Sequence, residues 1–385
     1  LLPPYLFSSL DAARDRARAA GVDVIDLGVG DPDRPTPEPL VAAMTVELRR
    51  IAHHRYPSHR GLPALRRAVA DYIGRRDGIA VDPDREVQIL IGSKEGLGHL
   101  PLAVTEPGDR VLVPDLGYPV YREAALLAGA EVDTYNLRFD NNYRLYPEEW
   151  GELLAARPRL VVLNYPHNPT GAGVDAAYWR SIVPRLSGDG TVLVNDAAYL
   201  EVALTQERPA SLLAACDLRH DRVVEFHSLS KSFNMTGWRI GFAVGHADVI
   251  GALSRVKESL DSGVFGAIQA VAARALSPEG DAWRREVVGV YAPRRRLVAT
   301  ALEAAGCEVF PASATFYVWA RVPGGGDSLA FATRALEETG VVVAPGVGFG
   351  AAGEGWFRIS LTAPDPLVAT AAERLANWLR RRGES

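Results

Sequence analysis

Cysteine is almost missing from this chain. Cys216 and Cys307 are the only two in 385 residues, far apart and in neither a pairing nor a metal-binding spacing, which argues against a disulfide framework or a structural zinc site and fits a reducing compartment. Long apolar runs are missing too: none approaches the roughly 20 residues of a membrane-crossing helix. Charge of one sign is scarce, with 42 basic against 47 acidic residues, so no basic surface offers itself to nucleic acid or to an acidic membrane. The opening LLPPYLFSSLDAARDRARAAG does not resemble a signal peptide. No internal repeat or low-complexity tract appears. These absences lead to the expectation of a cytoplasmic globular protein with neither a nucleic-acid nor a membrane partner.

What is present is ordinary in amount and ordered in arrangement. With 48% apolar and 23% charged residues the chain can build a large interior, and its length exceeds what one hydrophobic core usually organises, so two domains are expected. Seven short β-rich runs follow one another at 87–91, 110–113, 131–135, 160–163, 191–194, 223–226 and 240–244. Helical segments such as 119–129 and 178–186 lie between most of them. Strand-then-helix alternation predicts an α/β domain with a largely parallel sheet. A long helical stretch over 249–276 follows the last strand. Beyond Pro278 the pattern becomes one long helix over 283–304, strands over 314–319 and 356–361, and a closing helix over 366–382. The resulting division is a large α/β domain at 41–276, with an N-terminal arm (1–40) and a smaller α+β domain (277–385).

Parallel sheets gather their chemistry at the carboxyl ends of strands. After the first run comes Gly92-Ser93-Lys94-Glu95-Gly96, a helix opening suited to a phosphate. Tyr118 offers an aromatic face after the second. Asn168 sits in the proline-flanked loop NYPHNPTG, and Asp196 and Tyr199 in NDAAY. Lys231 lies in FHSLSKSFNMTGWRIG, on a loop between two apolar runs, with Ser228, Ser230 and Arg239 beside it. Taken singly, such a lysine is a packed stem with a solvated ammonium, Asp196 a helix cap and Tyr199 a packing residue. Together they supply an anion site, an aromatic plate, a carboxylate, a phenol and an amine, which are the parts of a pyridoxal phosphate site.

NYPHNPTG, NDAAY and HSLSKSFNMTGWRIG resemble the signatures of the class I/II aminotransferases, fold type I of the pyridoxal phosphate enzymes, and the similarity runs essentially end to end. Within that family LPPYLF, GVGDPDRPTP, HRYPSHRGLPALR, DSGVFGAIQ, ATFYVWA and GEGWFRISLTAP resemble the bacterial LL-diaminopimelate aminotransferase group. The resemblance implies that Lys231 is the Schiff-base lysine and proton shuttle, that Asp196 pairs with the pyridine nitrogen, and that Tyr199 and Asn168 bond the ring hydroxyl. It implies that Tyr118 stacks on the ring, and that Ser93, the Lys94 amide, Ser228, Ser230 and Arg239 hold the phosphate. Tyr56 would reach the phosphate from a second subunit, making a homodimer with shared sites. Arg358 would take the substrate α-carboxylate, with Asn168, Gly30 and Tyr5 also in the substrate pocket. The reaction implied is a ping-pong transfer between an amino acid, best matched by LL-diaminopimelate, and 2-oxoglutarate.

Some residues resist this scheme. In the matched group the loop after Tyr56 can carry an acidic residue where this chain has His59, and the neighbouring Arg60 is a candidate for a distal carboxylate. Aspartate, alanine and N-succinyl-diaminopimelate therefore stand as alternative substrates, and a lyase on the same scaffold as an alternative reaction. A cofactor-binding transcription regulator would need a DNA-binding domain, for which 1–40 is too short. Gly348 to Gly353 satisfies G-x-G-x-x-G but leads into a strand, so it reads as a turn. His53, His54 and His59 lack zinc-site spacing, and no metal is expected.

Overall fold

The computed structural model describes residues 7–146, 149–186 and 190–383. Its strands are β1 (Ile25–Asp26), β2 (Val87–Leu90), β3 (Arg110–Pro114), β4 (Glu131–Tyr135), β5 (Leu160–Leu163), β6 (Val192–Asp196), β7 (Val223–Ser228), β8 (Gly241–Gly245), β9 (Tyr317–Arg321), β10 (Val341–Val342), β11 (Ala344–Pro345) and β12 (Trp356–Ser360). Seven of them form one sheet in the order β2-β8-β7-β6-β5-β3-β4. Every neighbouring pair is parallel except the two that involve β8, so β8 alone runs against the rest. The seven runs read from the sequence are these seven strands.

β5 and β6 are buried along their whole length, as strands covered on both faces must be, and that is why they read as unbroken apolar runs. Their residues alternate between two cores. Val111, Val113, Val162, Val192 and Val194 pack on one side with Leu97, Leu100, Tyr121 and Leu253. Leu112, Val161, Leu163 and Leu193 pack on the other with Leu65, Tyr72, Trp179 and Ile182. A third cluster joins Ile25 and Leu27 to Phe316, Phe331, Phe357, Leu375 and Trp378, around the sheet β11-β12-β9 and the pair β1-β10.

Two long helices predicted from the sequence are each broken. The stretch 249–276 is two helices, Ala247–Leu260 and Gly266–Ala275. Between them the chain passes so close to Ser58 that a Cβ on Gly263 would lie 2.2 Å from the Ser58 carbonyl oxygen. The stretch 283–304 is Gly280–Val288 and Tyr291–Glu303. Pro293 explains that break, because its nitrogen has no hydrogen to give the Gly289 carbonyl and its ring crowds that carbonyl. The strand expected over 314–319 begins only at Tyr317, since Thr315 turns the backbone into the left-handed region at φ 72°. Among the described residues no helix is long and apolar enough to cross a membrane.

Strand register places the chemistry along one edge. Leu163 lies beside Asn195 and Asp196 beside Phe226, so the chain leaves β5, β6 and β7 at the same level. β3 and β5 flank the point where the strand order reverses, and the segments after both open into the same crevice.

Candidate active site

One cavity of about 450 Å³ lies at that edge, and Ser93, Lys94, Tyr118, Asn168, Asp196, Tyr199, Ser228, Ser230, Lys231, Arg239, Gly30 and Arg358 all line it. Tyr5 falls outside the described residues. Tyr56 is not among the lining residues and is 96% exposed.

The anion end is built by a turn and a helix start. Gly92, at φ 76°, carries the chain from β2 into the helix Ser93–Val104 and supplies no capping side chain, so the first amides of the helix remain available to an anion. A Cβ on Gly92 would sit 2.5 Å from Nη2 of Arg239, so the backbone requires glycine here and any larger residue would also push the guanidinium aside. Ser228 caps the short helix Leu229–Ser232, its hydroxyl accepting from the Ser230 amide at 3.2 Å. Lys231 lies in that helix rather than on the open loop expected from the sequence. Its Nζ donates to the Gly30 carbonyl at 3.0 Å. Burial pushes its ammonium down to about 8, against the pull of Asp31 and with help from Arg239 and Arg358.

Asp196 ends β6 and is buried. Tyr121 donates its hydroxyl to Oδ2 at 2.7 Å, and the Ala198 amide approaches Oδ1 at 3.3 Å. Asn164 holds the Asp196 carbonyl at 2.7 Å and accepts from the Asn168 amide at 2.9 Å. Burial raises the Asp196 carboxyl to about 6 although both of its own hydrogen bonds act to lower it. No ion pair to Asp196 occurs among the described residues, so this buried carboxylate has room for a cationic partner.

Arg358, on β12, is 6% exposed. Nη1 donates to Asn168 Oδ1 and Nη2 to the Gly28 carbonyl, both at 2.8 Å. Its Nε is buried with no hydrogen-bond partner, and the guanidinium carbon lies 4.0 Å from the Tyr317 ring centroid and 4.5 Å from that of Phe349. A desolvated guanidinium with an unused N–H suits a carboxylate. Tyr199 places its hydroxyl 2.8 Å from that of Tyr317.

Other predicted candidates lie elsewhere. Arg60 gives Nη2 to the Asp84 carbonyl at 2.6 Å, and His59 faces Glu258 at 3.7 Å, so neither enters the cavity of its own chain. His167 is buried and pushed down to about 4 by burial. It braces its loop against Thr170 and Leu116 as a neutral ring. Glu95, His99 and Asp261 converge as metal ligands do, but the buried Lys257 ammonium already lies 3.0 Å from Glu95 and 2.6 Å from Asp261. Sequence reasoning missed Tyr121, Asn164 and Tyr317. Tyr121 could have been found, since it stands one helical turn after Tyr118; Asn164 opens NYPHNPTG and Tyr317 lies in ATFYVWA, but nothing in either motif shows what the side chain meets.

Residues 22–375 match the family model described as aminotransferase class I and II. The chain is 46% identical over 384 residues to the LL-diaminopimelate aminotransferase of Desulforudis audaxviator, covering 99% of this chain and 96% of that one. It is 44% identical over 378 residues to the protein of the same name from Aquifex aeolicus, covering 98% and 97%. Among solved structures, a probable N-succinyldiaminopimelate aminotransferase from Thermus thermophilus is similar at a TM-score of 0.89 and 36% identity, covering 96% and 99%. Substrate-bound BacF from Bacillus subtilis is similar at 0.90 and 33%, covering 98% and 96%.

Proposed function

This chain is a member of the class I and II aminotransferase family, and from that premise we propose that it moves an amino group between LL-diaminopimelate, or a close ω-substituted analogue, and 2-oxoglutarate. The family works with pyridoxal 5'-phosphate on an amino acid and a 2-oxo acid. The observation that carries action on an amino acid is Arg358: a buried guanidinium with an unbonded Nε and, among the described residues, no carboxylate partner.

The residues present fit the cofactor. Gly92 leaves the helix start open to a phosphate, which Ser93, the Lys94 amide, Ser228, Ser230 and Arg239 would hold. Asp196, buried without a counter-cation, would keep a proton on the ring nitrogen; Asn168 and Tyr199 would bond the ring hydroxyl, and Tyr118 would cover a ring face. When bound, the cofactor supplies an aldehyde and an electron-accepting ring.

The chain's own residues supply the rest. Lys231 Nζ, its proton loosened by burial, provides the attacking amine and afterwards takes the α-proton and returns it. Arg358 fixes the α-carboxylate, so the α-hydrogen is presented to Nζ in one orientation. Relatives named for LL-diaminopimelate support the substrate, as do Lys94, Glu123 and the Arg14–Asp26 pair, which line the same cavity. A substrate with a second polar terminus would meet these charged groups, whereas a short aliphatic amino acid would leave the Lys94 and Glu123 side chains without a substrate contact.

A homodimer belongs to the same proposal. Ile51, Val46, Leu48, Leu260 and Phe265 are exposed along with Tyr56, an apolar surface suited to a second copy, which would bring Tyr56 to the partner's phosphate end. The division into 41–276 and 1–40 with 277–385 is likewise our reading, supported by the apolar cluster around Phe316, Phe357 and Trp378. The test of substrate is kcat/KM for LL-diaminopimelate, aspartate, alanine and an aromatic amino acid, each with 2-oxoglutarate. LL-diaminopimelate should lead; a lead of about tenfold for aspartate or alanine would withdraw the substrate and leave the aminotransfer standing.

A further inference from the structure

The geometry points to Tyr317 as a positioning residue that sets the substrate-carboxylate arginine and the cofactor-facing tyrosine from a single side chain. Tyr317 is the first residue of β9 and is 2% exposed. Its hydroxyl lies 2.8 Å from that of Tyr199. The face of its ring lies 4.0 Å from the Arg358 guanidinium carbon. Its oxygen also fills the space over Gly30, where a Cβ would come within 2.1 Å of it, and the Gly30 carbonyl is the acceptor for Lys231 Nζ.

Register explains why one side chain reaches so far. β9 and β12 are antiparallel, with Tyr317 opposite Ser360 and Trp319 opposite Arg358, so Tyr317 and Arg358 are diagonal neighbours on one face. The left-handed turn at Thr315, whose hydroxyl accepts the Tyr317 amide at 3.2 Å, fixes how the chain enters the strand. A guanidinium lying on an aromatic face gains attraction and loses water from that side. With Nη1 and Nη2 tied to Asn168 and Gly28, the Tyr317 ring, nearer than that of Phe349, covers the group alongside it. The hydroxyl does separate work: it leaves Tyr199 one rotor position relative to Asp196 and Lys231.

The inference rests on Arg358 receiving the substrate carboxylate, and the two parts of Tyr317 can be removed one at a time. Tyr317→Phe, Tyr317→Leu and Arg358→Lys are loaded with cofactor and compared with the parent. Glutarate affinity is measured by calorimetry, the pH midpoint of the visible cofactor band by titration, and kcat and KM by assay. Tyr317→Phe keeps the plate and loses the hydroxyl, so glutarate affinity should stay within about twofold while the band midpoint moves and kcat falls. Tyr317→Leu should also weaken glutarate by about five- to thirtyfold, the worth of a desolvated guanidinium on an aromatic face. An unchanged band midpoint and kcat in Tyr317→Phe, or parental glutarate affinity in Tyr317→Leu while Arg358→Lys is weakened, overturns the role of Tyr317 alone. Parental affinity in Arg358→Lys overturns the carboxylate assignment and this inference with it.

Discussion

Tyr121 donates its hydroxyl to Oδ2 of Asp196 at 2.7 Å across 75 positions of sequence, joining the helix Val120–Leu127 to the end of β6. A carboxylate in that position is opposed by burial and favoured by this bond, and burial prevails, leaving it at about 6. Removing the bond must raise it further, because the hydrogen bond favours the charged form. In the cofactor-free protein, the Asp196 carboxyl followed by carbon NMR should titrate near 6, and in Tyr121→Phe about one unit higher. An unchanged midpoint would remove Tyr121 from the account.

Glu201 gives a stability prediction. It is largely buried, its side chain 10% exposed, and bonded by Tyr72, Arg76 and Arg208, with Arg284 at 3.1 Å. Burial alone would raise its carboxyl, but the charges of Arg76, Arg284 and Arg208 outweigh that and hold it at about 2. A depressed carboxylate contributes stability that is complete above the unfolded value near 4.5 and lost as pH falls toward 2. Glu201→Gln should lower stability at neutral pH by about 3 kcal/mol, since the arginines lose their partner. Its denaturant midpoint should also change less between pH 5 and pH 3 than the parent's, because the variant has no carboxylate to protonate in that interval.

Arg239 should matter to cofactor retention. Its guanidinium is placed by the left-handed backbone at φ 53° and by Nη1 donating to the Thr236 carbonyl at 2.8 Å. Arg239→Ala removes a charge-assisted bond, so cofactor affinity measured by equilibrium titration should fall by about ten- to a hundredfold. Parental affinity would take Arg239 out of the phosphate site.

The sequence showed the sheet and the cavity edge because both have local causes. Strands buried on two faces must be apolar runs, and Asp196, Ser228 and Lys231 follow such runs directly. The break ahead of Pro293 was legible, since a proline interrupts a helix one turn upstream, and was passed over; the break at Gly263 was hidden because it depends on Ser58, far away in sequence. Tyr317, and Asn164 in its bond to the Asp196 carbonyl, act through partners that only the fold brings near: Tyr199 lies 118 positions from Tyr317 and Asp196 lies 32 from Asn164. Within its own chain Arg60 is taken up by the Asp84 carbonyl in the turn before β2 and the Val87 carbonyl at the start of β2, partners that nothing beside Arg60 in the sequence announces.

Assembly is tested by mixing. If each site takes Lys231 from one chain and Tyr56 from the other, a Tyr56→Ala variant and a Lys231→Ala variant should complement after subunit exchange. Random pairing makes half the dimers hybrid, each with one intact site, so recovery should approach about a quarter of parental activity. No recovery with exchange demonstrated would mean that each chain builds its site alone.

The central claim is that Lys231 is the amine that carries the cofactor, and this chain makes it easy to examine, because its only lysines are Lys94, Lys231 and Lys257. Lys257 is fully buried against Glu95 and Asp261, whereas burial leaves Lys231 at about 8, so its neutral, nucleophilic form gains as pH rises through that value. The measurement is borohydride reduction of the pyridoxal phosphate-loaded protein, followed by peptide mass spectrometry at a series of pH values. The added mass should fall on the peptide containing Lys231 and disappear in Lys231→Ala, and the initial labelling rate of the cofactor-free protein should rise with pH and level off above about 8. Label on Lys94 or Lys257 instead, or undiminished label in Lys231→Ala, would contradict the account.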